Sequence, residues 1–242
     1  MPEHRQDIEA LKRSLPTAFM RALRGKAAAS PVAMVEDIGA LDVINDSKTA
    51  AVIWKRPIPT SVLNWFAELP LDRIEGARFV VARDDVRRCV EKIFGEVASV
   101  PGRGFDWFIG DITALSHEIC RLFTASHVRV RVEVVSDDAC RRFHMDAVRV
   151  RSICTYCGPG TEYGMSKGDE SPEQVHHVPT GMPALFKGTK WPTSARGRLL
   201  HRSPPINGMG VSRLVVVIEP TSDGSGERSP YDTLFEASPT SR

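Results

Sequence analysis

The sequence predicts an α+β protein in which a helical N-terminal portion packs on a double-stranded β-helix, or jelly roll. Three observations carry this. Apolar residues recur at helical spacing through the first half. Near residue 127 the period changes to strict alternation. From there to about residue 220, short extended segments are punctuated by Gly, Pro and polar turns. The expected organisation is a mainly helical portion over residues 1–126, a jelly-roll core over 127–220 and a disordered tail over 221–242.

Taken in order, Ile8, Leu11, Leu15 and Phe19 form one helical stripe. Ser61 precedes an apolar face of Val62, Trp65, Phe66 and Leu69, and Asp85 precedes Val86, Val90, Ile93, Phe94 and Val97. A further helix is expected to begin near Asp111 and to bury Ile112, Leu115, Ile119, Leu122 and Phe123. Short extended segments are expected at Ala51 to Trp54 and Arg78 to Ala82, without assignable sheet partners. Val128-Arg129-Val130-Arg131-Val132-Glu133-Val134 alternates apolar and charged residues as a half-buried strand does. Further strands are expected within Phe143 to Tyr156, Ala184 to Phe186, Leu199 to His201 and Arg213 to Glu219. The tail from Thr221 onward is rich in Ser, Gly, Pro and charge, the composition of a segment that cannot bury enough apolar surface to fold.

Chemistry concentrates at His144-Met145-Asp146, His201 and Arg213. In extended chain, residues i and i+2 face the same way, so His144 and Asp146 share a face. His201 ends a short strand before Pro204-Pro205 and supplies a second imidazole. Two imidazoles and one carboxylate on one side of an octahedral ion leave three positions open, the ligand set of non-haem Fe(II). The interval between Asp146 and His201 is long enough for several short strands of a double-sheet fold. Arg213 opens the apolar run Leu214-Val215-Val216-Val217-Ile218, where a guanidinium can grip a carboxylate with two parallel hydrogen bonds.

The order of H-x-D, a distal His and an Arg heading the last strand resembles the Fe(II)/2-oxoglutarate-dependent dioxygenases. Phe143-His144-x-Asp146, Cys154-Thr155-Tyr156-x-Gly158-Pro159-Gly160-Thr161-Glu162 and Leu200-His201-Arg202-Ser203-Pro204-Pro205 are similar to a bacterial family of unassigned activity, domain of unknown function 1826. The dioxygenase resemblance implies a cupin-like fold, with Fe(II) held by His144, Asp146 and His201. It also implies 2-oxoglutarate as cosubstrate, its far carboxylate on Arg213 and its pocket lined by Thr155 or Tyr156. The cosubstrate would be decarboxylated to succinate while an unknown prime substrate is oxidised.

The bland readings are a buried hydrogen-bonded His144–Asp146 pair, a strand-end His201 and an exposed Arg213. A non-enzymatic module is the main alternative function. The family resemblance links it to zinc homeostasis, and Zn(II) held by the same triad would want a fourth ligand from Cys157, Cys154 or His176. An interaction protein with a vestigial triad is a third reading. Cys154-Thr155-Tyr156-Cys157 alone is weak as a metal motif, because residues i and i+3 of a strand face opposite ways. His176-His177 reads as surface loop. Lys187-Gly188-Thr189-Lys190-Trp191-Pro192 reads as a turn between strands or as a substrate border.

Composition narrows the classes. The 32 basic and 30 acidic residues give a formal charge of +2, so no global field points to nucleic acid or to an anionic membrane. No apolar run approaches a membrane span, and Glu3, Asp7 and Glu9 are unlike a signal peptide; a cytoplasmic location is expected. Five cysteines do not suggest a disulfide framework. A Walker lysine loop, a dinucleotide glycine fingerprint and a Gly-x-Ser-x-Gly elbow are absent from the chain.

Overall fold

A computed structural model of the chain describes residues 31–95, 102–167, 170–192 and 198–222. The expected Ile8 to Phe19 helix, Val97 and most of the expected tail lie outside these residues.

The strands are β1 (Val32–Val35), β2 (Ala51–Trp54), β3 (Ala77–Ala82), β4 (His127–Val135), β5 (Val150–Cys157), β6 (Glu162–Ser166), β7 (His176–His177), β8 (Ala184–Lys187), β9 (Arg198–Arg202) and β10 (Arg213–Thr221). The α-helices are α1 (Thr60–Glu68), α2 (Val86–Gly95) and α3 (Arg103–Phe123), with short 3-10 turns between elements. Seven strands form one sheet in the order β1-β2-β8-β5-β10-β4-β3, and three form a second in the order β7-β6-β9. Only the β1–β2 pair of the large sheet is parallel. The result is a mixed α/β architecture built on a large, mainly antiparallel sheet.

The segments Ala51–Trp54 and Ala77–Ala82 find their partners here: β2 lies between β1 and β8, and β3 closes the far edge against β4. The sheet therefore draws three strands from before residue 127. Periodicity could not show this, because four- to six-residue strands bring their partners from distant parts of the chain.

Alternation along β4 does what its pattern predicts. Val128, Val130 and Val132 are fully buried, whereas Arg129, Arg131 and Glu133 stay partly exposed on the other face. The valine face joins a core with Val62, Trp65 and Phe66 of α1, Val90 and Phe94 of α2, and Phe108, Ile112 and Ile119 of α3. The opposite face adjoins a smaller apolar cluster that includes Ile53, Ile153, Phe186, Leu199, Val215 and Val217. Leu199 comes from the three-stranded sheet and the others from the seven-stranded one, so this second core lies between the sheets.

α3 begins at Arg103, two turns before the expected start near Asp111, and Leu122 is only partly buried. The reason is tertiary. Asp111 is not a helix start but a buried mid-helix anion, bidentate to Arg56 through Oδ1 and, at 2.6 Å, Oδ2. Tyr156 donates its hydroxyl to the same carboxylate at 2.5 Å, and Arg56 Nε reaches the Gly181 carbonyl at 3.1 Å. The guanidinium also lies 4.4 Å from the Trp54 ring centroid. This cluster pins α3 to β5 and to the end of β2.

Removing one member of a buried pair strands the other in low dielectric. Arg56→Ala is expected to lower the unfolding free energy by about 3–5 kcal/mol in urea titrations. A loss below about 1 kcal/mol would show that Asp111 is not left uncompensated.

Candidate metal centre

His144 and His201 are brought together by backbone pairing. Each donates its amide to the other's carbonyl at 3.0 Å, an isolated antiparallel bridge that adds residue 144 beside β9 in the smaller sheet. Directly opposed residues in such a pair project to the same side, and the imidazole centroids lie 4.7 Å apart. The expected strand through Phe143 to Tyr156 is thus shorter. Residue 144 makes a single bridge, and the regular strand begins at Val150. Extension across 144–146 is enough to keep the i, i+2 relation, with His144 Nε2 3.5 Å from Asp146 Oδ1.

Asp146 is held by its own backbone. The Thr189 amide donates to its carbonyl at 2.9 Å, and the Gly188 amide donates to the Arg149 carbonyl at 3.0 Å. A β-carbon on Gly188 would lie 2.1 Å from the Val148 oxygen and 2.6 Å from the Asp146 oxygen, so the turn requires glycine there. The Lys187 to Pro192 segment accordingly serves as a turn that secures a ligand loop.

The side chains are prepared for a cation. His144 Nδ1 lies 2.8 Å from the Arg142 carbonyl, and a carbonyl only accepts, so the proton sits on Nδ1 and Nε2 keeps its lone pair. His201 is buried and stacked on Phe186 at 4.7 Å. Burial lowers its pKa and favours the neutral ligand form. The Asp146 carboxylate raises that of the more exposed His144. Burial opposes ionisation of Asp146, yet the approach of both imidazoles and the Arg151 charge outweigh it, holding the carboxyl far below its usual range.

Asp146 Oδ2 is the telling atom. It lies 3.0 Å from His201 Nε2 but outside hydrogen-bonding geometry, and it is buried without a donor. A buried carboxylate oxygen in that condition is costly unless a cation meets it. The donor atoms of His144, Asp146 and His201 all lie within 4.8 Å of one another. Cis ligands of an ion with bonds of roughly 2.1 Å stand about 3 Å apart, so small side-chain shifts suffice to close the set. The donor set fits a hard or borderline divalent metal with open positions.

His144 and His201 line a cleft that opens to solvent between the two sheets, with the buried Asp146 beside them. The floor of the cleft is formed by Val215 and Val217 of β10 and Ile153 of β5, with Arg131 and Glu133 of β4 to one side. Arg213 also lines it, 2% exposed, donating Nε to the Pro159 carbonyl at 2.7 Å and Nη2 to Thr155 Oγ1 at 3.1 Å. Gly158 adopts φ 78°, and a β-carbon there would lie 2.5 Å from the Ser212 oxygen and 3.0 Å from Arg213 Cγ. The Gly-Pro-Gly turn is therefore the seat of the guanidinium. Burial lowers the Arg213 pKa to about 10, which leaves it cationic at neutral pH. No carboxylate pairs with it among the described residues.

Of the two candidates for the pocket lining, Thr155 faces Arg213, whereas Tyr156 turns the other way. Its ring packs at 4.7 Å on Phe108 and its hydroxyl serves Asp111. Adjacent residues of a strand face opposite ways, and Thr155 keeps the phase of Arg151 and Ile153. Beyond it lies a bulge: Leu214 pairs with Cys157 and Val215 with Thr155, so the register skips Tyr156. The same bulge brings Cys157 to the helix-facing side with Cys154, contrary to strict alternation. There Cys157 Sγ contacts the Phe66 carbonyl at 3.7 Å, and burial raises its pKa to about 12. His176 is exposed and stacks on Tyr163 at 5.4 Å. None of the three candidate fourth ligands joins the triad.

Sequence reasoning missed Arg151, Glu219, Arg202 and Cys140. Arg151 and Glu219 share strand phase with Thr155 and Arg213, a signal that was readable. Cys140 enters the cleft from the loop before His144, and Arg202 from the end of β9, where it pairs with Glu162 at 2.6 Å.

A family model described as a protein of unknown function, DUF1826, matches residues 35–219. No curated protein matches the chain. By structure the chain is similar to a Pseudomonas putida prolyl-4-hydroxylase, at 13% identity and TM-score 0.41, covering 75% of this chain and 97% of that one. It is similar to dioxygenase for auxin oxidation 1 from Arabidopsis thaliana, solved with 2-oxoglutarate, at 10% identity and TM-score 0.48, covering 84% and 96%. A 2OG-Fe(II) oxygenase family oxidoreductase from Burkholderia pseudomallei gives 12% identity and TM-score 0.39, covering 80% and 95%. At these identities and scores, the chemistry rests on this chain's own residues.

His144→Ala and Asp146→Ala should each lose bound metal while keeping the far-UV circular dichroism of the parent. Unchanged metal content in both variants after Fe(II) or Mn(II) loading would remove the triad assignment.

Proposed function

The chain belongs to the DUF1826 family, whose description assigns no activity, and from the site we propose an Fe(II)/2-oxoglutarate-dependent oxygenase on a double-stranded β-helix, acting on an unidentified prime substrate. The observation that carries this reading is the pairing, in one cleft, of a three-donor metal set with a buried guanidinium that lacks a carboxylate partner among the described residues. A dianion with a chelating keto acid at one end and a free carboxylate at the other matches both.

Fe(II) bound at His144, Asp146 and His201 supplies oxygen activation, and the protein supplies placement. His144 is fixed by its Nδ1–H bond to Arg142, and His201 by its stacking on Phe186. Arg213 offers Nη donors towards a carboxylate, while Thr155 and the Pro159 carbonyl fix the plane of the guanidinium. Val215, Val217 and Ile153 form an apolar floor that suits the methylene carbons of the cosubstrate and limits water. A Zn(II) storage or delivery module would want a closed four-ligand site, and Cys154, Cys157 and His176 all lie elsewhere.

Anaerobic titration with Fe(II) and 2-oxoglutarate should produce the weak visible charge-transfer band of a chelated keto acid, and Asp146→Ala should abolish it. Arg213→Leu should keep Fe(II) and weaken 2-oxoglutarate by about 2–5 kcal/mol, the loss expected when a buried charged partner is truncated. Tight Zn(II) binding without the band in the parent protein, or equal cosubstrate affinity in Arg213→Leu, would overturn the assignment.

A further inference from the structure

Beside the triad runs a row of alternating charges. Arg129 of β4, Glu219 of β10 and Arg151 of β5 stand on three adjacent strands, and Glu219 is the register partner of Arg129. Ser152 pairs with Ile218, which sets Arg151 beside Glu219. Arg129 Nη1 lies 3.4 Å from Glu219 Oε2, and Arg151 Nε donates to Glu219 Oε1 at 2.7 Å. The other end of the Arg151 guanidinium, Nη1, donates to Asp146 Oδ1. The side chains of Asp146 and Glu219 are 8% and 9% exposed, and that of Arg151 is 17% exposed.

This row answers a question the triad leaves open, which is how a single carboxylate is made to offer one oxygen rather than two. Arg151 occupies Asp146 Oδ1, and Oδ2 remains buried without a donor beside His201 Nε2. A cation placed so close to a dication site is unfavourable on its own, since like charges repel strongly in low dielectric. Glu219 offsets it, and Arg129 offsets Glu219. The four side chains sum to zero charge, so the site still offers the full charge of a bound dication and of Arg213 to an anionic cosubstrate.

We propose that Arg151 is a positioning residue, held by Glu219, which fixes Asp146 in a single-oxygen pose with Oδ2 as the metal donor. The inference rests on the metal-site reading and adds a residue to it. Arg151 touches no reacting atom; it acts through Asp146. Outer partners of metal ligands typically contribute roughly ten- to a hundredfold in metal affinity.

The test uses the full-length protein loaded anaerobically with Co(II), whose visible d–d bands report coordination number. The parent should bind Co(II) with the weak bands of a six-coordinate site. Arg151→Gln should bind roughly ten- to a hundredfold more weakly and with altered bands, because both carboxylate oxygens become available. Arg151→Lys, which keeps the charge but cannot span Asp146 and Glu219, should show the same spectral change. Glu219→Gln should shift affinity and spectrum in the same direction by less, and the Arg151→Gln/Glu219→Gln double variant should be no worse than Arg151→Gln alone. Parental affinity and spectrum in both Arg151 variants, with the parent binding Co(II), would overturn the positioning role and leave the triad standing. Additive effects of the two sites would likewise overturn the relay from Glu219. A parent that binds no Co(II) would overturn the metal centre and this inference together.

Discussion

The cleft depends on the register of β10 between β4 and β5. Side chains in a strand alternate with period two, so a slip of one residue would exchange the two faces. In the register observed, Leu214, Val216 and Ile218 enter the helix-covered core, while Arg213, Val215, Val217 and Glu219 face the second sheet. Seven hydrophobic or charged positions of one strand thereby serve two different solvents, a dry core on one side and a ligand cleft on the other. Pairing on both edges makes that register hard to slip, because β4 and β5 would each have to move with it.

Charge is managed in the cleft rather than avoided. Arg129, Glu219, Arg151 and Asp146 form an alternating series, and Arg202 pairs with Glu162. Arg213 alone among the cleft-lining arginines lacks a carboxylate within the described residues, and it is the most buried of them. Its neutral partners, Thr155 and the Pro159 carbonyl, orient it without cancelling its charge. That condition favours a ligand carrying the missing negative charge. The orphaned Asp146 Oδ2 expresses the same logic with opposite sign.

The helical side of the large sheet is kept apart from this chemistry. Alternation sends Cys154 and Tyr156 towards α1 and α3, and the bulge at Tyr156 adds Cys157 to them; burial there holds the thiols and the phenol protonated. The Arg56–Asp111–Tyr156 cluster then ties helix to sheet. A run that looks like a metal motif on paper is thus mostly packing, and Thr155 from it serves the cleft by holding Arg213.

Sequence alone determined the elements whose signal is local. Helical stripes at Val62 to Phe66 and Val86 to Phe94, the alternation of β4, and the apolar run of β10 were legible because each period reports burial directly. His144, Asp146, His201 and Arg213 were legible as a group because their types and order match one kind of chemistry. Tertiary structure alone decided which strands neighbour one another, that Asp111 is a buried ion-pair partner rather than a helix start, and that Arg151 braces Asp146. It also decided which of Thr155 and Tyr156 faces the site, through the register of β5 on β10, and it turned Cys157 away, since a one-residue bulge reverses strand phase and leaves no mark in composition or spacing. Such features arise from partners far apart in the chain, whose meeting is set by packing and register rather than by any local preference.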